Sequence, residues 1–160
     1  MTAAGLLVLR LAVALVLLAH GAHQLFGLFA GPGLGPGGLA ATAARFDAIG
    51  LQPGYPLAAI AATIQLVAGA LVAMGVLTRW ASIAAALYLG LLIWKDQWQW
   101  GFFVNWMIEA GRGHGVEQSL VLLGALVCLA LAGAGDWSID GWRARAAASR
   151  SSGRARLRRN

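Results

Sequence analysis

Long apolar stretches, separated by short polar or glycine-rich segments, dominate the chain. A helix needs about 20 apolar residues to cross a bilayer, and four stretches come close to that length: roughly residues 4–27, 56–78, 80–97 and 118–134. The second and third meet at Thr78-Arg79, which predicts a tight helical hairpin. The pattern therefore predicts an all-α fold, an integral membrane bundle of four transmembrane helices.

The segment between the first two apolar stretches predicts a loop followed by a surface helix. Residues 28–39 are dense in glycine and proline, which excludes regular helix there. Residues 40–49 have the pattern of a short amphipathic helix, with Phe46 and Ile49 on its apolar side. Pro56 suits the start of the second spanning helix, because proline is well tolerated at a first helical position.

Composition supports a membrane protein. Of the 160 residues, 59% are hydrophobic and only 11% are charged, whereas soluble domains carry about 25% charged residues. The lipid bilayer is therefore the first predicted partner. A cleaved signal peptide would need basic residues before its apolar stretch. None precedes this one, and Arg10 interrupts it, so we expect an uncleaved first span.

The net charge of +6 is concentrated at the end of the chain. Seven of the 12 basic residues lie within 143–160, and no acidic residue follows Asp140. A basic tail can bind nucleic acid, but directly after a membrane span the positive-inside rule explains it better. We therefore predict no nucleic-acid partner, a transmembrane domain over 1–142 with both termini cytoplasmic, and a disordered cytoplasmic tail over 143–160.

Cys128 is the only cysteine and lies within the fourth apolar stretch. A single cysteine excludes an intramolecular disulfide and a CxxC redox pair. Dithiol chemistry of the quinone-reductase kind is thus excluded for this chain alone.

Two sets of polar residues near the predicted outer end are candidates for chemistry. His20 and His23 share a helix face, and Gln24 adds a polar group there. His114 and Glu117 precede and open the fourth span. Three interpretations stay open: a zinc, copper or iron site made of His20, His23, His114 and Glu117, a site of proton exchange or ligand binding, and a structural hydrogen-bond network.

Arg10 is the other ionisable residue in the first span. The nearest predicted acids are Asp136 and Asp140, which follow the fourth span. We expect an ion pair at the cytoplasmic rim, which Arg79 can join, and substrate binding by Arg10 is the alternative.

Aromatic residues crowd the predicted outer loop. Trp98, Phe102, Phe103 and Trp106 can wall a pocket for a flat lipophilic ligand. The alternative is an aromatic belt at the membrane interface.

Several stretches together resemble the DoxX family of small bacterial membrane proteins. They are Leu-Arg10-Leu-Ala, Ala-His20-Gly-Ala-His-Gln-Leu-Phe26-Gly, the Gly31-Pro-Gly loop, Phe46-x3-Gly50-Leu-x-Pro53, Gly69-x5-Gly75-Val-Leu-Thr-Arg79, Glu117, and Gly135-Asp-Trp-Ser138-Ile-Asp140. The resemblance implies a four-helix bundle in the bacterial inner membrane. It also implies that Arg10, His20, Arg79, Glu117 and Asp140 are family-typical positions. Where the family usually has lysine, this chain has His23.

The resemblance links some members to quinone-coupled thiosulfate oxidation and others to oxidative-stress complexes with partner redox proteins. Our first hypothesis is accordingly a quinone-interacting subunit of a membrane redox system. His20, His23 and Glu117 would exchange protons, and Gln24, Trp98 and Trp106 would contact the quinone ring. No haem, flavin or iron–sulfur motif occurs, so electrons must come from a partner redox protein.

Two other functions remain as hypotheses. The chain can be a non-catalytic membrane anchor or assembly partner for a redox or metal-handling protein. It can also be a metal-binding or small-solute transport protein that uses the outer His/Glu residues. Transport by four compact helices requires a homo-oligomer or a narrow path through the bundle.

Overall fold

The computed structural model describes residues 2–31 and 35–157, and within these ranges the protein is all-α, as predicted. Six α-helices follow one another: α1 Ala3–Phe26, α2 Leu39–Ala48, α3 Gly54–Met74, α4 Thr78–Leu92, α5 Glu117–Ala132 and α6 Ile139–Leu157. A π-helical segment, Ile93–Gln97, and a 3-10 turn, Trp98–Trp100, extend α4. No strand occurs in the described ranges, where the only β-type pairing is an isolated bridge between Gly31 and Gly35.

Two of these helices are long and apolar enough to cross a membrane. They are α1, with 24 residues, and α3, with 21. Helix α5 is apolar but shorter, and α4 reaches a comparable length only through its π and 3-10 extensions. The second predicted span stops earlier than expected, because α3 ends at Met74 and Gly75 adopts a left-handed conformation.

Close packing of α1 on α3 positions the rest of the bundle. A Cβ atom on Gly21 would lie 2.8 Å from the Leu66 side chain, and one on Gly69 would lie 2.9 Å from that of Leu18. Each helix therefore places a glycine against the other, and both backbones come into close contact. Helix α4 packs against α3 and α5, and Leu126 and Leu129 of α5 are fully buried in the shared core.

Helix α2 is the amphipathic surface helix that the sequence predicted. It packs its buried residues Ala43 and Phe46 on α3. At the end of α2, the Asp47 carboxylate accepts a hydrogen bond of 2.8 Å from the Gly54 amide. That bond satisfies one of the free amides at the start of α3.

The chain after the fourth predicted span forms helix α6, Ile139–Leu157. Ser138 initiates α6 by accepting a hydrogen bond of 2.9 Å from the Gly141 amide. Alanine and arginine, two strong helix formers, account for a helix in this basic segment. The disorder predicted for 143–160 stays a prediction. Arg158 and Arg159 lie outside the described residues.

Candidate functional site

Arg10 lies at the end of the bundle where α1 begins, α3 ends and α4 begins, which we call the Arg10 end. Its side chain is buried, with 2% of the residue exposed. The guanidinium donates hydrogen bonds to four backbone carbonyls: Val72 (3.0 Å), Ala73 (2.9 Å), Ala134 (2.8 Å) and Trp137 (2.9 Å). One cation thus ties α1 to the end of α3 and to the turn between α5 and α6.

These contacts differ from the predicted ion pair of Arg10 with Asp136 or Asp140. The Asp140 carboxylate is near enough to act electrostatically on Arg10, but it accepts its hydrogen bond from the Thr78 amide at 3.3 Å, at the start of α4. Asp136 instead lies 3.7 Å from Arg145. Carbonyls at helix ends lack helical partners, and here they satisfy Arg10 where acids were expected.

Gly75 is the tightest point around Arg10. Its φ of +68° is left-handed, and a Cβ atom there would collide with Ser138 Cβ and lie 2.9 Å from Arg10 Cζ. The turn between α3 and α4 therefore has room for Arg10 only with glycine at this position. Arg79, one turn away, is exposed and lies against Gly133 at the end of α5.

His23 has a structural environment at the other end of α1. Its Nδ1 lies 2.9 Å from the Leu28 carbonyl oxygen, and its ring packs on Gly37, where a Cβ atom would lie 2.8 Å from it. The His23 backbone carbonyl accepts hydrogen bonds from Gly27 and Gly38. His23 thus holds the loop that joins α1 to α2.

Glu117 is likewise bound to backbone. Its carboxylate accepts a hydrogen bond of 3.2 Å from the Val104 amide, and its own amide donates to the Phe102 carbonyl. His114 is exposed in the preceding loop. In the described part of the chain, no group of three or more His, Cys, Asp or Glu side chains is arranged to hold a metal ion.

The two tryptophans predicted to contact a quinone are both open to the outside. Trp98 is 72% exposed and Trp106 is 73% exposed. Phe102, Phe103, Met107 and Ile108 are also more than half exposed. The structure therefore brings no enclosed aromatic pocket together from these residues.

A different set of polar side chains meets within the helices, in the half of the bundle away from Arg10. Gln65 of α3 donates a hydrogen bond of 2.7 Å to Gln24 Oε1 of α1. The Tyr88 hydroxyl of α4 lies 3.4 Å from the same oxygen and 3.5 Å from Gln65 Nε2. Gln65 is 5% exposed and Tyr88 9%. Three helices thus contribute one polar group each to a single point.

A charged pair borders these three residues. Arg45 of α2 forms an ion pair with Asp96, which lies on the π-helical segment that follows α4. Both charges act electrostatically on Tyr88, and Arg45 acts on His20. The His20 imidazole is exposed and has no hydrogen bond among the described residues. We call His20, Gln24, Arg45, Gln65, Tyr88 and Asp96 the polar cluster.

Sequence reasoning found His20 and Gln24 but missed the other members of the cluster. Gln65 and Tyr88 are single polar residues in helices rich in Ala and Leu, and hydrophobic pattern does not reveal which way such a residue turns. The available signal was that polar residues are rare in these helices. An isolated polar group inside a membrane helix usually has a hydrogen-bond partner on a neighbouring helix. The pairing of Arg45 with Asp96 requires the docking of α2, which sequence spacing does not show.

The polar cluster can donate and accept hydrogen bonds, and it contains four ionisable side chains: His20, Arg45, Tyr88 and Asp96. Both hydrogen bonds of Tyr88 are longer than usual: the hydroxyl donates to Gln24 Oε1 at 3.4 Å and accepts from Gln65 Nε2 at 3.5 Å. Its hydroxyl can therefore turn toward a ligand without losing strong partners. His20, one turn before Gln24 on α1, offers a second donor or acceptor.

Comparison with known families agrees with this architecture. The model of the DoxX family matches residues 5–98, more than half of the chain. That range includes Arg10, every member of the polar cluster and the turn at Gly75. No curated protein and no solved structure gives a match. The protein, a membrane protein with two helices able to span the bilayer, belongs to the DoxX family.

Proposed function

We propose that the protein is a quinone-interacting subunit of a membrane redox system, with the polar cluster as its binding site. The observation that supports this most is the meeting of Gln24, Gln65 and Tyr88 from three separate helices. Polar groups inside a membrane bundle are costly and commonly mark functional sites.

The chemistry of the cluster suits a quinone. The two carbonyl oxygens of a quinone accept hydrogen bonds, and Gln65, Tyr88 and His20 carry the N–H or O–H groups to donate them. Reduction of the quinone to quinol consumes two electrons and two protons. His20 would pass protons, because histidine changes charge near neutral pH. A partner redox protein would supply the electrons.

The proposal shifts the site within the bundle. His20 and Gln24 remain, while Gln65 and Tyr88 take the positions first assigned to Trp98 and Trp106. His23 and Glu117 hold backbone groups of adjoining loops, so we assign them positioning roles.

Quinone binding by the protein in lipid nanodiscs tests the proposal. We expect a quinone analogue to bind wild-type protein and Tyr88→Phe or Gln65→Leu to weaken binding by about tenfold each, the effect of one good hydrogen bond. The measurement is displacement of a fluorescent quinone analogue. Tyr55→Phe and Gln118→Leu are matched controls, because both residues are exposed.

Two results would contradict the proposal. One is the absence of analogue binding by folded wild-type protein. The other is equal weakening by Tyr55→Phe and Tyr88→Phe, which would separate the binding from the polar cluster.

We also propose that the Arg10 end faces the cytoplasm and that the bundle crosses the inner membrane four times. In the described part of the chain, six basic residues besides Arg10 lie on elements of this end: Arg79, Arg143, Arg145, Arg150, Arg154 and Arg156. Three lie at the opposite end: Arg45, Lys95 and Arg112. That imbalance agrees with the positive-inside rule. In a Cys128→Ser background, a cysteine at Ala147 should resist an impermeant maleimide in intact cells, and one at Ala110 should react.

A role as an anchor for a partner protein is the second candidate. It is favoured by the exposed apolar loop that contains Phe103, Trp106, Met107 and Ile108. A photo-crosslinking side chain at Met107 should then capture a protein in native membranes, while capture of lipid alone would argue against the anchor. A crosslinker at Tyr55, which is also exposed, serves as the control.

A further inference from the structure

A groove opens on the Arg10 end of the bundle. It has a volume of about 660 Å³ and lies between the start of α4, the turn from α5 to α6, and α6 itself. Trp80, one of its lining residues, is 71% exposed. Trp137 and Trp142 are exposed at the same end. Exposed tryptophans of this kind are typical of the level of the lipid headgroups.

The groove presents hydrogen-bond donors without partners. Arg79 lines it and forms no hydrogen bond or ion pair among the described residues. Thr78 also lines it; the residue is 1% exposed, and its hydroxyl has no hydrogen-bond partner among the described residues. The amides of Arg79 and Trp80 belong to the first turn of α4, where backbone amides have no helical acceptor and favour an anion.

The two carboxylates in the groove already have partners. Asp140 accepts the Thr78 amide and acts on Arg10 electrostatically. Asp136 pairs with Arg145, which also donates a hydrogen bond of 2.9 Å to the Asp136 carbonyl. Arg79 is therefore the cation left for an incoming negative charge.

A second groove lies between α4 and α5. It has a volume of about 570 Å³, and every residue that lines it is apolar. Ile83, Ala86, Leu87 and Gly90 contribute from α4, and Leu123 and Val127 are among those from α5. Ile83 lies one turn beyond Trp80, so the apolar groove adjoins the groove that contains Arg79.

We propose that the two grooves together bind one anionic phospholipid. The phosphodiester lies at Arg79, the Thr78 hydroxyl and the first amides of α4, and an acyl chain lies in the apolar groove between α4 and α5. The polar head and the apolar tail of a phospholipid match the order of the two grooves along α4. A free phosphate ion would use the first groove alone.

Native mass spectrometry of the protein released from nanodiscs tests the proposal. In discs of mixed phosphatidylglycerol and phosphatidylcholine, we expect the wild-type protein to retain phosphatidylglycerol in clear excess. Arg79→Gln should reduce that retention by about tenfold, the effect of losing a charge-assisted hydrogen bond. Arg143→Gln is the control, because Arg143 is basic and exposed but does not line the groove.

The acyl-chain groove has its own pair of variants. Gly90 and Gly124 both have open space where a Cβ atom would be added, but only Gly90 lines the groove. Gly90→Leu should therefore reduce retention of long-chain phosphatidylglycerol, and Gly124→Leu should leave it unchanged. Binding of a short-chain phosphatidylglycerol should be the same in both variants.

Three outcomes would overturn the proposal. Equal retention of the two lipids would exclude recognition of the negative headgroup. An equal loss with Arg143→Gln would assign the preference to general attraction by the basic helix. Displacement of the lipid by inorganic phosphate would make the first groove a site for free anions.

Discussion

Buried polar groups are hydrogen-bonded to different extents at the Arg10 end and in the polar cluster. At the Arg10 end, one permanently charged side chain is satisfied by four short hydrogen bonds to carbonyls. In the polar cluster, Gln24, Gln65 and Tyr88 share one short hydrogen bond and two long ones, Arg45 pairs with Asp96, and His20 has no hydrogen bond among the described residues. A fully satisfied network stabilises a single arrangement, whereas a partly satisfied one can accept a ligand. We therefore assign structure to the first and function to the second.

Replacement of Arg10 should have the largest effect on stability. Arg10→Leu leaves four carbonyls at helix ends without donors, and we expect a loss of about 3–5 kcal/mol, as for breaking a buried charged network. The measurement is unfolding in detergent, followed by circular dichroism. Arg143→Leu, at an exposed position, should change stability by less than about 0.5 kcal/mol. Equal losses of stability in the two variants would contradict a structural role for Arg10.

The turn at Gly75 gives the next largest effect. Gly75→Ala adds a methyl group against Ser138 and Arg10 at a left-handed φ, and we expect a cost of about 2–4 kcal/mol from strain and overpacking. Gly50→Ala is a close control, because its φ is +77° but no atom lies within 4 Å of the added Cβ. The difference between the losses of unfolding free energy in the two variants measures the cost of the collision with Ser138 and Arg10. A difference of zero would mean that the turn can move away from Arg10.

The Arg45–Asp96 pair should respond asymmetrically. Asp96 has 12% of its side chain exposed and Arg45 has 66%. Arg45→Gln leaves a buried carboxylate unpaired and should cost about 1–2 kcal/mol, whereas Asp96→Asn leaves an exposed arginine and should cost less. Arg112→Gln, in an exposed pair with Glu109, should cost close to nothing. A larger cost for Asp96→Asn than for Arg45→Gln would contradict the burial argument.

Tyr88→Phe should have the smallest effect on stability and a large one on ligand binding. Its hydroxyl makes only long contacts, so we expect a cost below about 0.5 kcal/mol. The same preparation should bind the quinone analogue about tenfold more weakly, the effect of one good hydrogen bond. Arg10→Leu, where enough folded protein remains, should keep it, since the two ends act independently in our assignment.

Much of the fold could be predicted from the sequence. Runs of apolar residues predicted the ends of α1, α3 and α5 to within a few residues, and the amphipathic pattern of residues 40–49 predicted α2. The prediction ended the second span too late because Gly75, Val76 and Leu77 are apolar enough to continue it. Only the left-handed turn at Gly75 reveals the break.

The site was harder to predict, and for a different reason. Which residues meet across helices depends on the rotation of each helix, and an all-apolar helix gives little sign of it. The contacts of Gln65 and Tyr88 with Gln24 depend on how α3 and α4 are oriented against α1. The partners of Arg10 are backbone carbonyls, which every residue has, so sequence could name the cation without its acceptors.

If the bundle crosses the membrane four times, as we propose, the short length of α5 has a consequence for the surrounding bilayer. Its 16 residues rise about 24 Å, whereas the hydrocarbon core is about 30 Å thick and the 24 residues of α1 exceed that. The exposed side chains of Phe103, Met107 and Ile108 lie in the loop that precedes α5. We expect the lipid to thin locally around α5 and these side chains to enter it. Such hydrophobic mismatch would favour thin membranes and the pairing of two copies along their α5 helices.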